Sequence, residues 1–108
     1  MLDVTANDCG QWLAGYSRMD APDFVMFSVY VIDLAINNGM DIYDLWYADR
    51  AVILANAADR DLLIKLDNTY WDALNYMNSI VPDEFWFEAE EWGLYLLHQA
   101  PDGTIVGY

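Results

Sequence analysis

The clearest regular pattern in the chain is a helical spacing of apolar residues between residues 20 and 39. Four apolar residues there recur three or four positions apart: Phe24, Phe27, Val31 and Leu34. Most of the residues between them are apolar as well, which is typical of a helix buried on all sides. The pattern predicts a central buried helix that begins near Pro22 and is stopped by the Asn-Asn-Gly sequence ending at Gly39.

Two further segments show helical spacing with polar signals at their ends. Residues 5–16 follow Thr5, a good N-terminal cap, and predict a first helix. Another helix is expected after Asp41, which can cap it, with Asp44 in its first turn. A polar break at residues 56–59 ends this second segment.

A third helical pattern covers residues 62–77 and leaves two alternatives open. Residues 67–69, Asp-Asn-Thr, can cap a new helix inside the segment. Residues 62–66 can instead be read as a short strand, because periodicity does not distinguish the two over so few positions.

The C-terminal residues have the pattern of a β-hairpin. Two apolar runs, GLYLLHQ and TIVGY, are joined by Ala-Pro-Asp-Gly, which is typical turn sequence. A two-stranded hairpin is marginal alone, so this one is expected to pack on the helices or to gain a third strand.

The segment PDEFWFEAEEWG, residues 82–93, can be read in two ways. Phe-Trp-Phe favours a strand, in which Trp86, Glu88 and Glu90 point to one side. Glu-Ala-Glu-Glu favours a helix, in which Glu84, Glu88 and Glu91 form one stripe. We favour the helix slightly. In both interpretations an apolar side anchors the segment, and a row of carboxylates faces water.

These patterns predict one compact acidic domain over residues 1–108. Its hydrophobic fraction of 56% is well above that of disordered chains, and its length is enough for an independent core. The expected fold class is α+β and mainly helical. Four or five helices would pack around the central apolar helix, with a small C-terminal β-hairpin.

Charge is the most unusual property of the sequence. Eighteen acidic residues against four basic ones give a formal net charge of −14, and no base follows Lys65. This charge disfavours direct binding to nucleic acid or to an anionic membrane, and it favours a basic protein partner. No signal peptide and no membrane-spanning run is visible, so a soluble cytoplasmic protein is expected.

Candidate catalytic and metal-binding residues are few. The chain has one cysteine, Cys9, and one histidine, His98, and nothing in the local sequence activates either of them. A zinc site would need two carboxylates in addition to this pair, and no calcium-loop or phosphate-loop motif is present. We therefore expect a protein that is not an enzyme and that has no cofactor and no metal.

Carboxylates interleaved with large aromatic residues mark the expected partner-binding site. The first-choice contacts are Asp83, Glu84, Glu88, Glu90 and Glu91, with Trp86 and Trp92 as anchors, since tryptophans carry much of the binding energy at interfaces. A second, weaker group comprises Asp41, Asp44 and Asp49.

The expected function is inhibition of a basic nucleic-acid-binding protein by a folded DNA or RNA mimic. In composition and size the chain resembles small acidic phage-encoded inhibitors, such as anti-CRISPR and anti-restriction proteins. The partner would be a CRISPR effector, a restriction enzyme or another nuclease, and the protein would act in the host cytoplasm. The alternatives are an immunity protein against a basic nuclease toxin and an acidic salt-adapted domain, since Asp outnumbers Glu fourteen to four.

Overall fold

The computed structural model describes residues 2–14, 23–55, 59–90 and 93–108. Within these residues, three α-helices accompany a four-stranded antiparallel sheet. In chain order, a short 3-10 turn at Ala6–Asp8 is followed by β1 (Gly10–Ala14), α1 (Asp23–Asn37), α2 (Trp46–Ala55), α3 (Arg60–Ser79), β2 (Phe85–Glu90), β3 (Gly93–Gln99) and β4 (Ile105–Val106).

The expectation of four or five helices around a central helix is therefore wrong, although the broader α+β class agrees with the structure. Two segments account for most of the error. Thr5 does form a capping box, but the helix it begins is the single turn Ala6–Asp8, and a strand follows. The slightly favoured helix at residues 82–93 is also wrong, because Phe85–Glu90 is β2.

Strand β3 is the centre of the sheet, with β1 on one side and β2 on the other. Phe87 lies opposite Leu96, and Glu88 lies opposite Tyr95. The pairing of β3 with β4 forms the C-terminal hairpin that the sequence predicts. An irregularity in β1 between Gln11 and Leu13 shifts its register against β3.

The core lies between the helices and one face of the sheet. Helix α1 is buried along most of its length, as its sequence predicts, and contributes Phe27, Val29, Val31, Ile32 and Ala35. Leu66, Tyr70, Ala73 and Met77 of α3, and Phe85, Phe87, Leu94 and Leu96 of the sheet, complete the cluster. The Trp12 ring of β1 meets the Phe87 ring edge-on at 5.0 Å.

Helix α3 is continuous through residues 62–77, which confirms the helical pattern there. Neither a new cap at residues 67–69 nor a strand at residues 62–66 is present. Asp59 caps it and accepts hydrogen bonds from the backbone N–H groups of Asp61 and Leu62. Thr69, expected in a new cap, instead donates its hydroxyl to the carbonyl of Lys65 one turn earlier. Helix α2 also begins later than expected after Asp41, at Trp46. No helix in the described ranges has the length and apolar character needed to cross a membrane.

Candidate partner-binding surface

The alternation of side chains along β2 separates the core from an acidic surface. Phe85 and Phe87 are buried against the helices, and Ala89 packs on the same cluster. Because successive side chains of a strand point to opposite sides, Trp86, Glu88 and Glu90 lie on the other side of the sheet, where they are half-buried. The two glutamates are therefore neighbours on one face, about 6–7 Å apart along the strand.

Tyr108 reaches across this face to both glutamates. Its hydroxyl lies 2.7 Å from Oε2 of Glu88 and 3.1 Å from Oε1 of Glu90, and its ring lies 6.3 Å from that of Tyr95 on β3. A phenol has a single proton, so it donates to one carboxylate at a time. The hydrogen bond to Glu88, followed by burial and the bond to Glu90, raises the pKa of Tyr108 above its usual range.

We call this surface the acidic sheet face and define it by Trp86, Glu88, Glu90, Tyr95 and Tyr108. Strands β1 to β4 contain no lysine and no arginine, so no cation on the sheet balances the glutamates. Asp83 and Glu84 lie exposed in the turn just before β2 and extend the negative charge beyond its start.

The edge of β2 is held by Asn78 of α3. The backbone N–H of Phe87 donates to Oδ1 of Asn78 at 2.6 Å, and Nδ2 of Asn78 donates to the Phe87 carbonyl at 3.4 Å. The side-chain amide thus replaces the peptide group of a neighbouring strand and fixes how β2 presents its glutamates. The sequence gives no signal for this contact, which joins exposed Asn78 of a helix to the edge of a strand nine positions later.

The three residues of the weaker acidic group, Asp41, Asp44 and Asp49, lie in different surroundings. Asp41 and Asp44 are exposed in the segment between α1 and α2. The side chain of Asp49 is only 17% exposed; it accepts the Tyr43 hydroxyl at 3.0 Å and pairs with Nζ of Lys65 at 3.4 Å. Its charge is therefore offset within the chain. Burial, followed by the hydrogen bond to Asp49, raises the pKa of Tyr43 to about 12.

A second internal ion pair joins α1 and α2. The guanidinium of Arg50 contacts both carboxylate oxygens of Asp33, at 2.6 and 3.1 Å, and this contact raises the pKa of Arg50. Two of the four basic residues are thus committed to bonds within the fold. An open cleft beside the pair is lined by Asp33, Ile36, Asn37, Tyr47 and Arg50.

The remaining residues named from the sequence have simpler surroundings. The His98 ring stacks on Phe85 with the centroids 4.4 Å apart. Burial, with a smaller effect from Asp8, raises the pKa of the Cys9 thiol, which disfavours the reactive thiolate. Glu91 and Trp92 lie outside the described residues. Among the residues that are described, no three His, Cys, Asp or Glu side chains converge as a metal site requires.

Comparison with known proteins does not assign the chain to a family: no family model, no curated protein and no solved structure matches it.

Proposed function

We propose that this protein binds a positively charged nucleic-acid-binding surface of another protein and blocks it as a folded mimic of a polyanion. The observation that carries the proposal is the acidic sheet face. Glu88 and Glu90 lie on the same side of β2, in a sheet whose strands have no lysine or arginine. The partner class is a nuclease of a host defence system, such as a CRISPR effector or a restriction enzyme, met in the host cytoplasm.

The geometry of the face suits such a partner. A nucleic-acid-binding surface carries Lys and Arg spaced to meet phosphates, and carboxylates 6–7 Å apart on a strand can meet such cations in turn. Each exposed ion pair contributes only about 0–1 kcal/mol, so the charges mainly steer the approach and set the orientation. Half-buried Trp86, beside the two glutamates, supplies an aromatic contact that can be desolvated on binding.

The test reverses the charge of the face and compares it with an equal reversal elsewhere. The variant is Glu88→Lys with Glu90→Lys, and the matched control is Asp61→Lys with Asp72→Lys on the exposed side of α3. The wild-type protein is used to capture partners from host lysate. Each captured protein that binds a fluorescent DNA or RNA duplex is then titrated with wild type, variant and control.

We expect the wild-type protein and the control to displace the duplex, and the sheet-face variant to lose this activity by at least about tenfold, or 1.4 kcal/mol. Displacement should weaken as salt is added, because the Debye length shortens. If the control loses displacement of the duplex to the same extent, the acidic sheet face is not the specific binding site. Simultaneous binding of duplex and protein to the partner would reject mimicry.

A further inference from the structure

Helix α2 presents an exposed face without a single charged side chain. The face consists of Tyr47, Ala48, Ala51, Val52, Leu54 and Ala55, all exposed to solvent. Tyr47 is 64% exposed, Val52 49% and Leu54 38%. The opposite side of the helix holds buried Trp46 and Ile53. Contiguous exposed apolar residues on a small domain indicate an interaction surface.

The two charged residues of α2 are both turned toward the rest of the fold. Asp49 pairs with Lys65 of α3, and Arg50 pairs with Asp33 of α1. The outward surface of α2, which we call the α2 face, is therefore electrically neutral in a chain whose formal net charge is −14. This neutrality restricts which partner the face suits.

We propose that the α2 face binds the α2 face of a second copy of this chain, forming a symmetric dimer. Two copies that each carry a large negative charge repel one another wherever carboxylates would meet, and this face holds none. A basic partner gains its attraction from carboxylates, which the face does not offer. Ala48, Ala51 and Ala55 occupy the middle of the face, so two helices can approach closely, while Tyr47, Val52 and Leu54 flank them.

The helix dipoles favour an antiparallel arrangement of the two helices. A twofold axis perpendicular to the helices brings the N-terminal end of each α2 toward the C-terminal end of the other, so the opposed dipoles attract. The exposed charges beyond the two ends add repulsion, because Asp44 precedes α2 and Arg60 is flanked by Asp59 and Asp61.

The size of the face limits the affinity. A ten-residue helix is about 15 Å long, so the contact lies near or below the low end of stable interfaces, about 1,200 Å² in total. We expect a dissociation constant on the order of micromolar.

Sedimentation equilibrium over a range of protein concentrations tests the proposal. The variant is Ala51→Glu, at the middle of the face, and the matched control is Ile64→Glu, which adds the same charge at a 51% exposed position of α3. Glutamate is a good helix former, so both variants should fold, and circular dichroism checks this. We expect dimers in the wild type and the control, and at least a tenfold higher dissociation constant in Ala51→Glu.

Added salt should tighten the dimer, because it screens the repulsion between the two copies. This is opposite to the weakening expected for the basic partner, so the two associations are distinguishable. A wild-type protein that stays monomeric about a hundredfold above the expected constant overturns the proposal. A dimer that Ala51→Glu does not weaken overturns it too. If Ala51→Glu instead abolishes duplex displacement and the wild type is a monomer, the face belongs to the basic partner.

Discussion

Gly93 starts the central strand in a backbone conformation that side chains rarely adopt. Its φ is +145°, and a methyl group there would run into the carbonyl oxygen of Leu13 on β1. Gly10, where β1 begins, also has a positive φ of +123°, but a methyl group there would meet nothing within 4 Å. A side chain at Gly10 would therefore meet backbone strain alone, whereas a side chain at Gly93 would meet both strain and a steric clash.

Alanine at each glycine should give different losses of stability. Gly10→Ala should cost about 1–3 kcal/mol of backbone strain. Gly93→Ala should cost more, because the added methyl group also forces β1 away from β3. Urea unfolding of the two variants measures the difference. Equal losses would mean that β1 moves aside freely and that its pairing with β3 contributes little.

Tyr43 gives the fold a dependence on alkaline pH. Its pKa is raised from 10.0 to about 12 in the folded protein, first by burial and then by the hydrogen bond to Asp49. A group whose pKa is raised on folding contributes stability that is complete below its unfolded pKa. This contribution should be lost as the pH rises from about 10 through 12.

Phenylalanine at position 43 isolates this contribution. The variant Tyr43→Phe should lose less stability than the wild type between pH 10 and about 12, because it has no hydroxyl to ionise there. The difference in tyrosinate absorbance between the two proteins reports the titration of the Tyr43 hydroxyl alone. It should give a pKa near 12. If the Tyr43 hydroxyl instead titrates near 10, its contact with Asp49 does not form.

Strand β2 illustrates how an edge is protected at the scale of an element. An edge strand exposes backbone groups that can pair with other chains. The amide of Asn78 satisfies both backbone groups of Phe87 from the side of α3. One helix residue thus both protects the edge and fixes the orientation of Glu88 and Glu90.

Removing this amide should destabilise the fold. Asn78→Ala leaves the N–H and carbonyl of Phe87 without their partner and should cost about 1–3 kcal/mol. Asn75→Ala, at an exposed position of the same helix, is the control and should stay within about 0.5 kcal/mol of the wild type. Urea unfolding with hydrogen exchange at Phe87 measures both effects. Unchanged protection at Phe87 would show that water replaces the amide without loss.

Elements with a strong local pattern could be predicted from the sequence, and those set by distant contacts could not. The apolar run of α1 and the turn between β3 and β4 are local signals, and both elements are present. The cap at Thr5 is also real, but the chain enters β1 at Gly10 because it pairs there with β3, more than eighty positions away.

The candidate surface shows the same division. The strand alternative groups Trp86, Glu88 and Glu90 on one side, and the structure has this grouping once Phe85 and Phe87 are buried. The helix alternative is wrong because tertiary packing overrides the helix propensity of Glu-Ala-Glu-Glu. The contact of Tyr108 with Glu88 spans twenty positions, and no local pattern indicates it.

The whole molecule combines a large negative charge with a core that contains no charged residue among the described positions. The buried residues there are apolar apart from Ser28 and Thr69, so the carboxylates are at or near the surface. Asp61, Asp72 and Asp83 are exposed on α3 and on the turn before β2. Repulsion among such groups opposes compactness, while the apolar core favours it.

Salt should therefore raise the stability of the protein, whereas it should weaken binding to the basic partner that we propose. Each repulsive exposed pair costs up to about 1 kcal/mol, and the Debye length falls from about 10 Å at 0.1 M salt to about 3 Å at 1 M. Urea unfolding in increasing NaCl measures the rise. Asp72→Asn with Asp83→Asn should reduce it, because two of the repelling charges are gone.

The low-salt end of the same series separates a polyanion mimic from a salt-adapted domain. A mimic must be folded at moderate ionic strength, where its charge still acts over about 8–10 Å on a partner. A salt-adapted domain needs concentrated salt to fold, because only then is its repulsion screened. A cooperative unfolding transition in 0.1 M NaCl is expected here. A chain that is unfolded at that concentration and folds only near 1 M would show that its acidity serves tolerance of salt and not recognition.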